Sequence, residues 1–255
     1  MSDLDQSAMW KINREGWDTV AHNFYGVAAL PNYGPFASTE SGLGLIGDVQ
    51  NKSVVEIGCG SGHSLLYLAQ QGATDLWGLD LSTQQIAFAQ ALLAENDVHA
   101  HLFNAPMEQN PGIPTGHFDF AISIYSLGWT TDLQTTLGLI YSYLKPGGFY
   151  VFSWEHPFYS CLDYQAESYI VKERYREHSF VEPDWKGVPI VMHQRQLSTF
   201  INAALTVSFQ IERLVEGEAN VALATEADLA PEGWYSVPRA QLVPPTFILK
   251  LRKPN

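Results

Sequence analysis

The segment Ser53–Ser64, SVVEIGCGSGHS, decides the fold of this 255-residue chain. Apolar β-branched residues lead into three alternating glycines, Gly58, Gly60 and Gly62, and the helix-like run SLLYLAQQ follows them. A strand, a tight turn and a helix in this order form the unit that holds nucleotide-like ligands in α/β sheets. The first question is which ligand this turn holds.

Apolar runs and helical runs continue to alternate after the glycine turn. The runs DLWGLDL, VHAHLFN, FDFAISIY and FYVFSW are predicted strands, and the helices TQQIAFAQALLAEN and LQTTLGLIYSYL lie among them. Ser82 and Asp132 stand where they can cap these two helices. Alternation of this kind with short links predicts parallel strands that are joined by right-handed crossovers.

The pattern changes after Trp154. In residues 155–197, two strand-like stretches surround the turn PDWKG, which predicts a β-hairpin lid. Ser198 is expected to cap the helix TFINAALTV, and FQIERLVE and TFILKLRK are the last predicted strands. KINREGWDTVAHNF and GLGLIGDV are predicted helices of an N-terminal cover. The predicted fold is an α/β, Rossmann-like doubly wound sheet of about seven strands, mostly parallel with an antiparallel C-terminal strand.

The composition narrows the classes of partner. The chain has 14 Lys+Arg against 27 Asp+Glu, a net charge of -13, and such a surface repels phosphate backbones, so no nucleic acid partner is expected. No apolar run approaches the ~20 residues of a membrane span, and the first residues do not resemble a signal peptide. Cys59 and Cys161 have no partner pattern, which favours the reducing cytoplasm. No Cys/His spacing fits a zinc site, so no metal is expected.

The residues of the turn discriminate among ligands. A triphosphate-binding loop needs a lysine after its last glycine, but here His63 follows Gly62. In a dinucleotide turn the third glycine would come one place later, and Glu56 would lie close to the pyrophosphate and repel it. Asp80 ends the second strand, where a carboxylate can accept both ribose hydroxyls, and no Arg follows it to bind a 2′-phosphate. A ligand with an amino acid tail and a positive sulfonium suits these features better.

Four segments in order, VVEIGCGSG, LDLS, FDFAISIYSLGW and LKPGGFYVFSWEHP, resemble the motifs of class I S-adenosylmethionine-dependent methyltransferases. The likeness covers residues 53–154 well and extends more loosely to the C-terminus. STFINAALTVSFQIERLVE adds a similarity to the small-molecule group related to quinone-biosynthesis methyltransferases. The resemblance implies an enzyme that uses S-adenosylmethionine to methylate an O, N or C atom of a small organic acceptor. It makes residues 1–255 a single methyltransferase domain, with a helical cover at residues 1–50 and a lid insertion at residues 155–197.

The resemblance also implies which residues bind the cofactor. Asp80 would hold the ribose, Tyr125 would lie near the sulfonium, and Asn104 stands where the family often has an aspartate for the adenine amine. Glu108 is a further candidate for the adenine contact. The full expected set is Glu56, Gly58, Cys59, Gly60, Gly62, Asp80, Leu81, Asn104, Met107 and Tyr125.

The methyl acceptor is expected to bind at the end of the fifth predicted strand, where the sequence reads WEHPFY. His156 in this run is the candidate general base, since imidazole titrates near neutral pH; the alternative is that it caps backbone at the start of the lid. His193 is a weaker candidate that is expected to face solvent. Aromatic residues in the segments that cover the cofactor predict an apolar substrate pocket, formed by Tyr25, Tyr33, Trp154, Phe158 and Tyr159.

Two other functions remain open from the sequence. One is a regulatory protein that binds S-adenosylmethionine without turnover, because the turn and Asp80 indicate binding rather than catalysis. The other is an NAD-linked oxidoreductase, which the residue after Gly62 disfavours. The oligomeric state is not predicted.

Overall fold

A computed structural model describes residues 4–255 of the chain. Its central sheet has seven strands in the order β10-β11-β5-β4-β1-β2-β3. The strands of this sheet are β1 (Ser53–Ile57), β2 (Asp75–Asp80), β3 (His101–Asn104), β4 (Phe118–Ile124), β5 (Leu144–Glu155), β10 (Gln210–Val215) and β11 (Thr246–Arg252). Two further hairpins pair β6 (Leu162–Gln165) with β7 (Ser168–Val171), and β8 (His178–Trp185) with β9 (Val188–Gln194).

Strand directions confirm the predicted doubly wound sheet. β1, β2, β3, β4 and β5 pair in parallel, whereas β11 runs antiparallel to both β5 and β10. The chain proceeds from β1 outward through β2 and β3, and then returns to form β4 on the other side of β1. Strand order therefore reverses between β1 and β4, and the crevice at the carboxyl ends of these two strands is where such sheets bind ligands.

The helices cover both faces of the sheet. They are α1 (Gln6–Val20), α2 (Glu40–Leu43), α3 (His63–Gln70), α4 (Thr83–Glu95), α5 (Leu133–Tyr143), α6 (Leu197–Thr206) and α7 (Val237–Ala240). Both predicted caps are confirmed, because Ser82 accepts from Gln85 N and Asp132 accepts from Thr135 N. None of the helices within residues 4–255 is long and apolar enough to cross a membrane.

Two predicted helices differ from the observed ones. α6 begins at Leu197 rather than after Ser198, since the Tyr175 hydroxyl accepts a hydrogen bond from the Leu197 N–H and satisfies the start of the helix. The helix predicted over GLGLIGDV is wrong. α2 ends before Gly44, which has φ +58°, and the Glu40 carboxylate then accepts hydrogen bonds from the next three backbone N–H groups, those of residues 45–47.

The hairpin around PDWKG is confirmed as β8 and β9. The β6–β7 hairpin is not predicted from the sequence: residues 169–181, YIVKERYREHSFV, read as one strand-like stretch but break between β7 and β8. The N-terminal helix α1 joins the β8–β9 hairpin directly: Asn13 is 2% exposed, and its Oδ1 accepts a hydrogen bond from Val191 N at 2.7 Å. That one domain spans the whole chain, and that residues 155–197 act as a lid, stay predictions.

Candidate functional site

A cavity of about 1550 Å³ lies at the carboxyl ends of β1, β2, β4 and β5. Strand-end residues Glu56, Asp80, Ile124 and Trp154 contribute to its wall, together with residues of α1 and of the β8–β9 hairpin. A pocket for one small ligand typically measures about 300–1000 Å³. The volume is therefore sufficient for two ligands side by side.

The glycine turn forms one end of this cavity. Gly58 has φ +75°, and a Cβ built on it would lie 2.4 Å from the Ser126 Cβ. Ser126, which follows β4, comes this close because its hydroxyl donates to the Ile57 carbonyl at 2.7 Å. Glycine is thus required at residue 58 for two reasons, backbone conformation and close approach. The turn and the end of β4 form one tightly packed unit.

Asp80 connects the glycine turn to the helix that follows β2. Its Oδ2 accepts from Gly60 N at 2.9 Å, and its Oδ1 accepts from Ser82 N at 2.8 Å. Each carboxylate oxygen has a second lone pair, so both can accept another hydrogen bond from a ligand. Desolvation is the main reason that the pKa of Asp80 is raised to about 6, and the two backbone donors oppose it.

Glu56 is 2% exposed, and its Oε2 has no hydrogen-bond partner within residues 4–255. Burial raises the pKa of this carboxyl well above its usual range, the neighbouring Asp80 carboxylate adds to the shift, and the Ser64 hydroxyl opposes it. A buried acceptor without a donor is costly unless a ligand supplies the donor. Two carboxyls beside one turn therefore fit a ligand that brings positive charge and N–H or O–H groups.

The residues expected to bind the cofactor divide into those that line the cavity and those that do not. The cavity is lined by Glu56, Gly58, Cys59, Gly60, Asp80, Leu81, Met107 and Tyr125. Gly62 and Asn104 lie outside it. Gly62 instead precedes α3, where a Cβ would lie 3.0 Å from the Ala89 Cβ. The Asn104 amide nitrogen donates to the Asp80 and Leu81 carbonyls, and its Oδ1, the atom that would accept from an adenine amine, accepts from the Thr83 hydroxyl at 3.1 Å.

Glu108, the other candidate for the adenine contact, lines the cavity but is already bonded. Its carboxylate accepts from the Trp10 indole at 3.1 Å and from the Thr130 hydroxyl at 2.7 Å. It also accepts from the backbone and the hydroxyl of Thr131. These bonds attach α1 to the loop after β4, so Glu108 supports the wall of the cavity.

Among the five predicted acceptor residues, only Trp154 lines the cavity. Tyr33 and Tyr159 are completely buried, and their hydroxyls donate to Glu40 Oε2 and to the Trp234 carbonyl. Tyr25 is 46% exposed and packs against the His63 ring. Phe158 packs against the Tyr175 ring. This placement favours packing roles for these four residues.

His156 also lies outside the residues that line the cavity. Its Nε2 lies 2.7 Å from Glu216 Oε1, and its Nδ1 accepts from Phe158 N at 3.2 Å. Both ring nitrogens are therefore engaged by the protein. The contacts correspond to the alternative considered for this residue, a structural cap where the chain leaves β5.

Four tryptophans that line the cavity pack against one another, and we call them the tryptophan wall: Trp17, Trp129, Trp154 and Trp185. Ring centroids lie 5.2 Å apart for Trp17–Trp129 and Trp17–Trp185, 5.6 Å for Trp129–Trp154, and 5.4 Å for Trp129–Trp185. Six of the seven tryptophans of the chain line the cavity. The sequence gives no local signal for this wall, because its members come from α1, the loop after β4, β5 and β8.

Two further polar residues line the cavity: His193, the weaker candidate from the sequence, and Glu155, which is not selected from the sequence. His193 lies on the cavity rather than in solvent; its Nδ1 is 2.7 Å from Ser179 Oγ, and its Nε2 has no hydrogen-bond partner among residues 4–255. Burial lowers the pKa of His193 to about 4, so the ring is neutral near pH 7. Glu155 accepts from Trp234 Nε1 at 2.7 Å and from the Tyr235 hydroxyl at 2.8 Å. Burial raises the pKa of Glu155.

Comparison with known proteins agrees with this fold and turn. Residues 54–148 match the methyltransferase domain family. An uncharacterized protein of Haemophilus influenzae is 27% identical over 186 residues, 68% of this chain and 73% of that protein. The ubiquinone biosynthesis O-methyltransferase of Bordetella avium is 28% identical over 109 residues, 43% of this chain and 45% of the enzyme. A crystal structure of an S-adenosylmethionine-dependent methyltransferase from Mesorhizobium loti has a TM-score of 0.65 at 28% identity, covering 82% of this chain and 94% of that one.

Together these findings show that the chain is a class I S-adenosylmethionine-dependent methyltransferase, with S-adenosylmethionine as its cofactor. The chain spans about half the length of the ubiquinone biosynthesis O-methyltransferases that it matches.

Proposed function

We propose that this protein transfers a methyl group from S-adenosylmethionine to a small organic acceptor that is bound between the glycine turn and the tryptophan wall. The observation that carries this proposal is the shape of the cavity. Its volume, about 1550 Å³, exceeds what one ligand needs, and its lining has two parts that differ in chemistry. We call the part at the glycine turn the cofactor end and the part at the tryptophan wall the acceptor end. One end has backbone groups and carboxyls, and the other has aromatic faces.

The cofactor end fits the chemical groups of S-adenosylmethionine. The unpartnered Glu56 Oε2 can accept from an ammonium group, and the free lone pairs of Asp80 can accept from two ribose hydroxyls. Leu81 and Met107 supply apolar surface for the adenine. Tyr125 follows β4 with φ +54°, an uncommon backbone conformation for a tyrosine, and its ring centroid lies 5.5 Å from that of Trp154 in the tryptophan wall.

The acceptor end favours a small, largely apolar molecule. The tryptophan wall offers flat faces, and His193 offers a neutral ring nitrogen without a partner. We assign His193, not His156, as the group that receives a proton from the acceptor. If Nδ1–H donates to Ser179 Oγ, the lone pair of Nε2 is free to receive that proton.

The chain acts mainly through binding and exclusion of water. When bound, S-adenosylmethionine supplies a methyl group on a positive sulfur that is a good leaving group. The protein's own residues hold the acceptor in line with that methyl and keep solvent away, which reduces the entropy cost of the reaction. His193 takes the proton of an O–H or N–H acceptor as the new bond forms.

Methyl transfer from labelled S-adenosylmethionine tests the proposal. The protein is incubated separately with the small-molecule, protein and RNA fractions of a cell extract. A His193→Gln variant serves as the comparison. We expect label in the small-molecule fraction and a loss of about 100-fold or more in the variant. Label in the RNA or protein fraction would overturn the small-molecule acceptor. Tight cofactor binding with no labelled product in any fraction would favour a regulatory protein.

A location in the cytoplasm belongs to the same proposal. Cys59 and Cys161 are both buried as free thiols, which supports a reducing compartment.

A further inference from the structure

We propose that the acceptor carries a cationic amine on an apolar or aromatic body, and that Glu155 is the residue that selects it. This inference rests on the proposed function, since it concerns the acceptor end of the same cavity. It adds a substrate class that neither the motifs nor the comparisons specify.

Glu155 is the last residue of β5, beside the tryptophan wall. The two donors that reach its carboxylate, Trp234 Nε1 and the Tyr235 hydroxyl, both bond to Oε2. Oε1 accepts no hydrogen bond from any residue that the structure describes. The carboxylate is held in one orientation by two neutral donors, and one oxygen is left for a ligand.

The surroundings of Glu155 favour a cation over other ligands. Tyr235 is in ring contact with Tyr125, with centroids 6.4 Å apart, so aromatic rings separate Glu155 from the cofactor end. A carboxylate beside aromatic faces is a common arrangement for binding ammonium groups. An aromatic ring beside the wall already binds a cation of the protein: Lys186 Nζ lies 5.3 Å from the centroid of the Phe24 ring, which packs on Trp17.

Burial raises the pKa of Glu155, and Arg239, a nearby cation of the protein, opposes that rise. Its guanidinium does not bond to Glu155. It lies over the Tyr159 and Trp234 rings and donates to the carbonyls of Tyr159 and Leu162. Arg239 therefore supports the segment that holds Glu155, and no cation in the described part of the chain bonds directly to the carboxylate.

The net charge of the residues that line the cavity is negative, as is the charge of the Glu155 carboxylate. Nine acidic and three basic residues line the cavity. Lys172 is paired with Asp163 at 3.1 Å, and Arg195 donates to the carbonyls of Gly128 and Thr130. An anionic acceptor would enter against this field, whereas a cationic one is attracted by it.

Calorimetry with three probes that share a phenyl ring tests the inference: 2-phenylethylamine, 2-phenylethanol and phenylacetate. S-adenosylhomocysteine is titrated first, and its binding reports on the cofactor site independently of the acceptor. With the site saturated, we expect the amine to bind at least about tenfold more tightly than the alcohol, and phenylacetate to bind most weakly.

Variants of Glu155 make the test specific. Glu155→Gln should reduce the preference for the amine over the alcohol to about twofold or less, and Glu155→Asp should keep most of it because the charge remains. Glu232→Gln removes the same charge from an exposed position of the neighbouring segment and should leave the preference unchanged. Equal binding of amine and alcohol by the wild type would overturn the inference, as would an unchanged preference in Glu155→Gln. If either result is observed while S-adenosylhomocysteine still binds normally, only the inference about the acceptor is overturned, and the proposed methyl transfer is not.

Discussion

The cofactor end and the acceptor end of the cavity are built in opposite ways. The glycine turn is held by short-range contacts between adjacent parallel strands, such as the bonds from Gly58 N and Cys59 N to the Leu79 carbonyl. The acceptor end depends on contacts between distant segments, such as Asn13 with Val191, which are 178 residues apart. The cofactor end should therefore respond sharply to backbone changes, whereas the acceptor end should tolerate change and alter specificity instead.

Gly58→Ala is expected to have the largest effect. The new Cβ meets the Ser126 side chain at 2.4 Å, and the backbone at φ +75° is unfavourable for alanine, so the free energy of unfolding should fall by about 2–4 kcal/mol. Binding of S-adenosylhomocysteine should be lost. Gly116→Ala is the control, because it has a similar φ of +61° and nothing within 4 Å, and it should cost about 1 kcal/mol. Equal costs in denaturant titrations would contradict the close packing of the turn.

Asp80→Asn should weaken cofactor binding with less effect on the fold. Asparagine offers one acceptor oxygen in place of two, so either Gly60 N or Ser82 N faces an amide N–H group. We expect the affinity for S-adenosylhomocysteine to fall about 10- to 100-fold in calorimetry. Asp97→Asn, at an exposed position, should leave this affinity unchanged. An unchanged affinity in Asp80→Asn would remove Asp80 from the cofactor site.

The pH dependence of the free energy of unfolding should show the effect of the raised pKa of Asp80. The folded pKa of Asp80, about 6, is above that of the unfolded chain, so its ionisation opposes folding fully above pH 6, and this cost disappears as the pH falls toward 4. Relative to Asp80→Asn, the wild type should therefore gain about 2 kcal/mol in unfolding free energy between pH 7 and pH 4. His193, with its lowered pKa, contributes in the opposite sense, but it is present in both proteins and cancels. A gain with rising pH would contradict the raised pKa.

Trp185→Leu tests the tryptophan wall. The substitution removes a ring that contacts Trp17, Trp129 and Phe24 from the β8–β9 hairpin. We expect the affinity for 2-phenylethylamine to fall about 5- to 10-fold, and the affinity for S-adenosylhomocysteine to change less than twofold. Trp77→Leu is the matched control at the one tryptophan outside the cavity lining. Equal losses for both ligands would mean that the two ends are not separate.

His156→Gln should have the smallest effect. Its ring nitrogens contact Glu216 and the Phe158 backbone, outside the cavity, so loss of the ring should cost about 1 kcal/mol or less of stability. Affinities for S-adenosylhomocysteine and 2-phenylethylamine should remain within twofold. A tenfold loss of either affinity would return His156 to the functional site.

The contrast between the two ends explains what the sequence predicted. The mostly parallel doubly wound sheet, the glycine turn and the position of Asp80 at the end of β2 follow from local patterns and right-handed crossovers, and they are observed. The composition of the acceptor end could not be predicted from the sequence, because no local pattern brings Trp17, Trp129 and Trp185 together. At the end of β5, His156 is selected from the sequence and Glu155 is not considered, because side-chain direction there depends on partners in distant segments.

The central claim is that the glycine turn and its two carboxyls bind S-adenosylmethionine, and thermal unfolding tests it most directly. S-adenosylmethionine, S-adenosylhomocysteine, NADH and ATP are each added separately. At about 100 times its dissociation constant, a ligand adds ~2.7 kcal/mol to the folded state, enough to raise the Tm by several degrees. We predict such a rise with the two adenosyl sulfur compounds and none with NADH or ATP. A rise with NADH alone, or with none of the four, would contradict the claim.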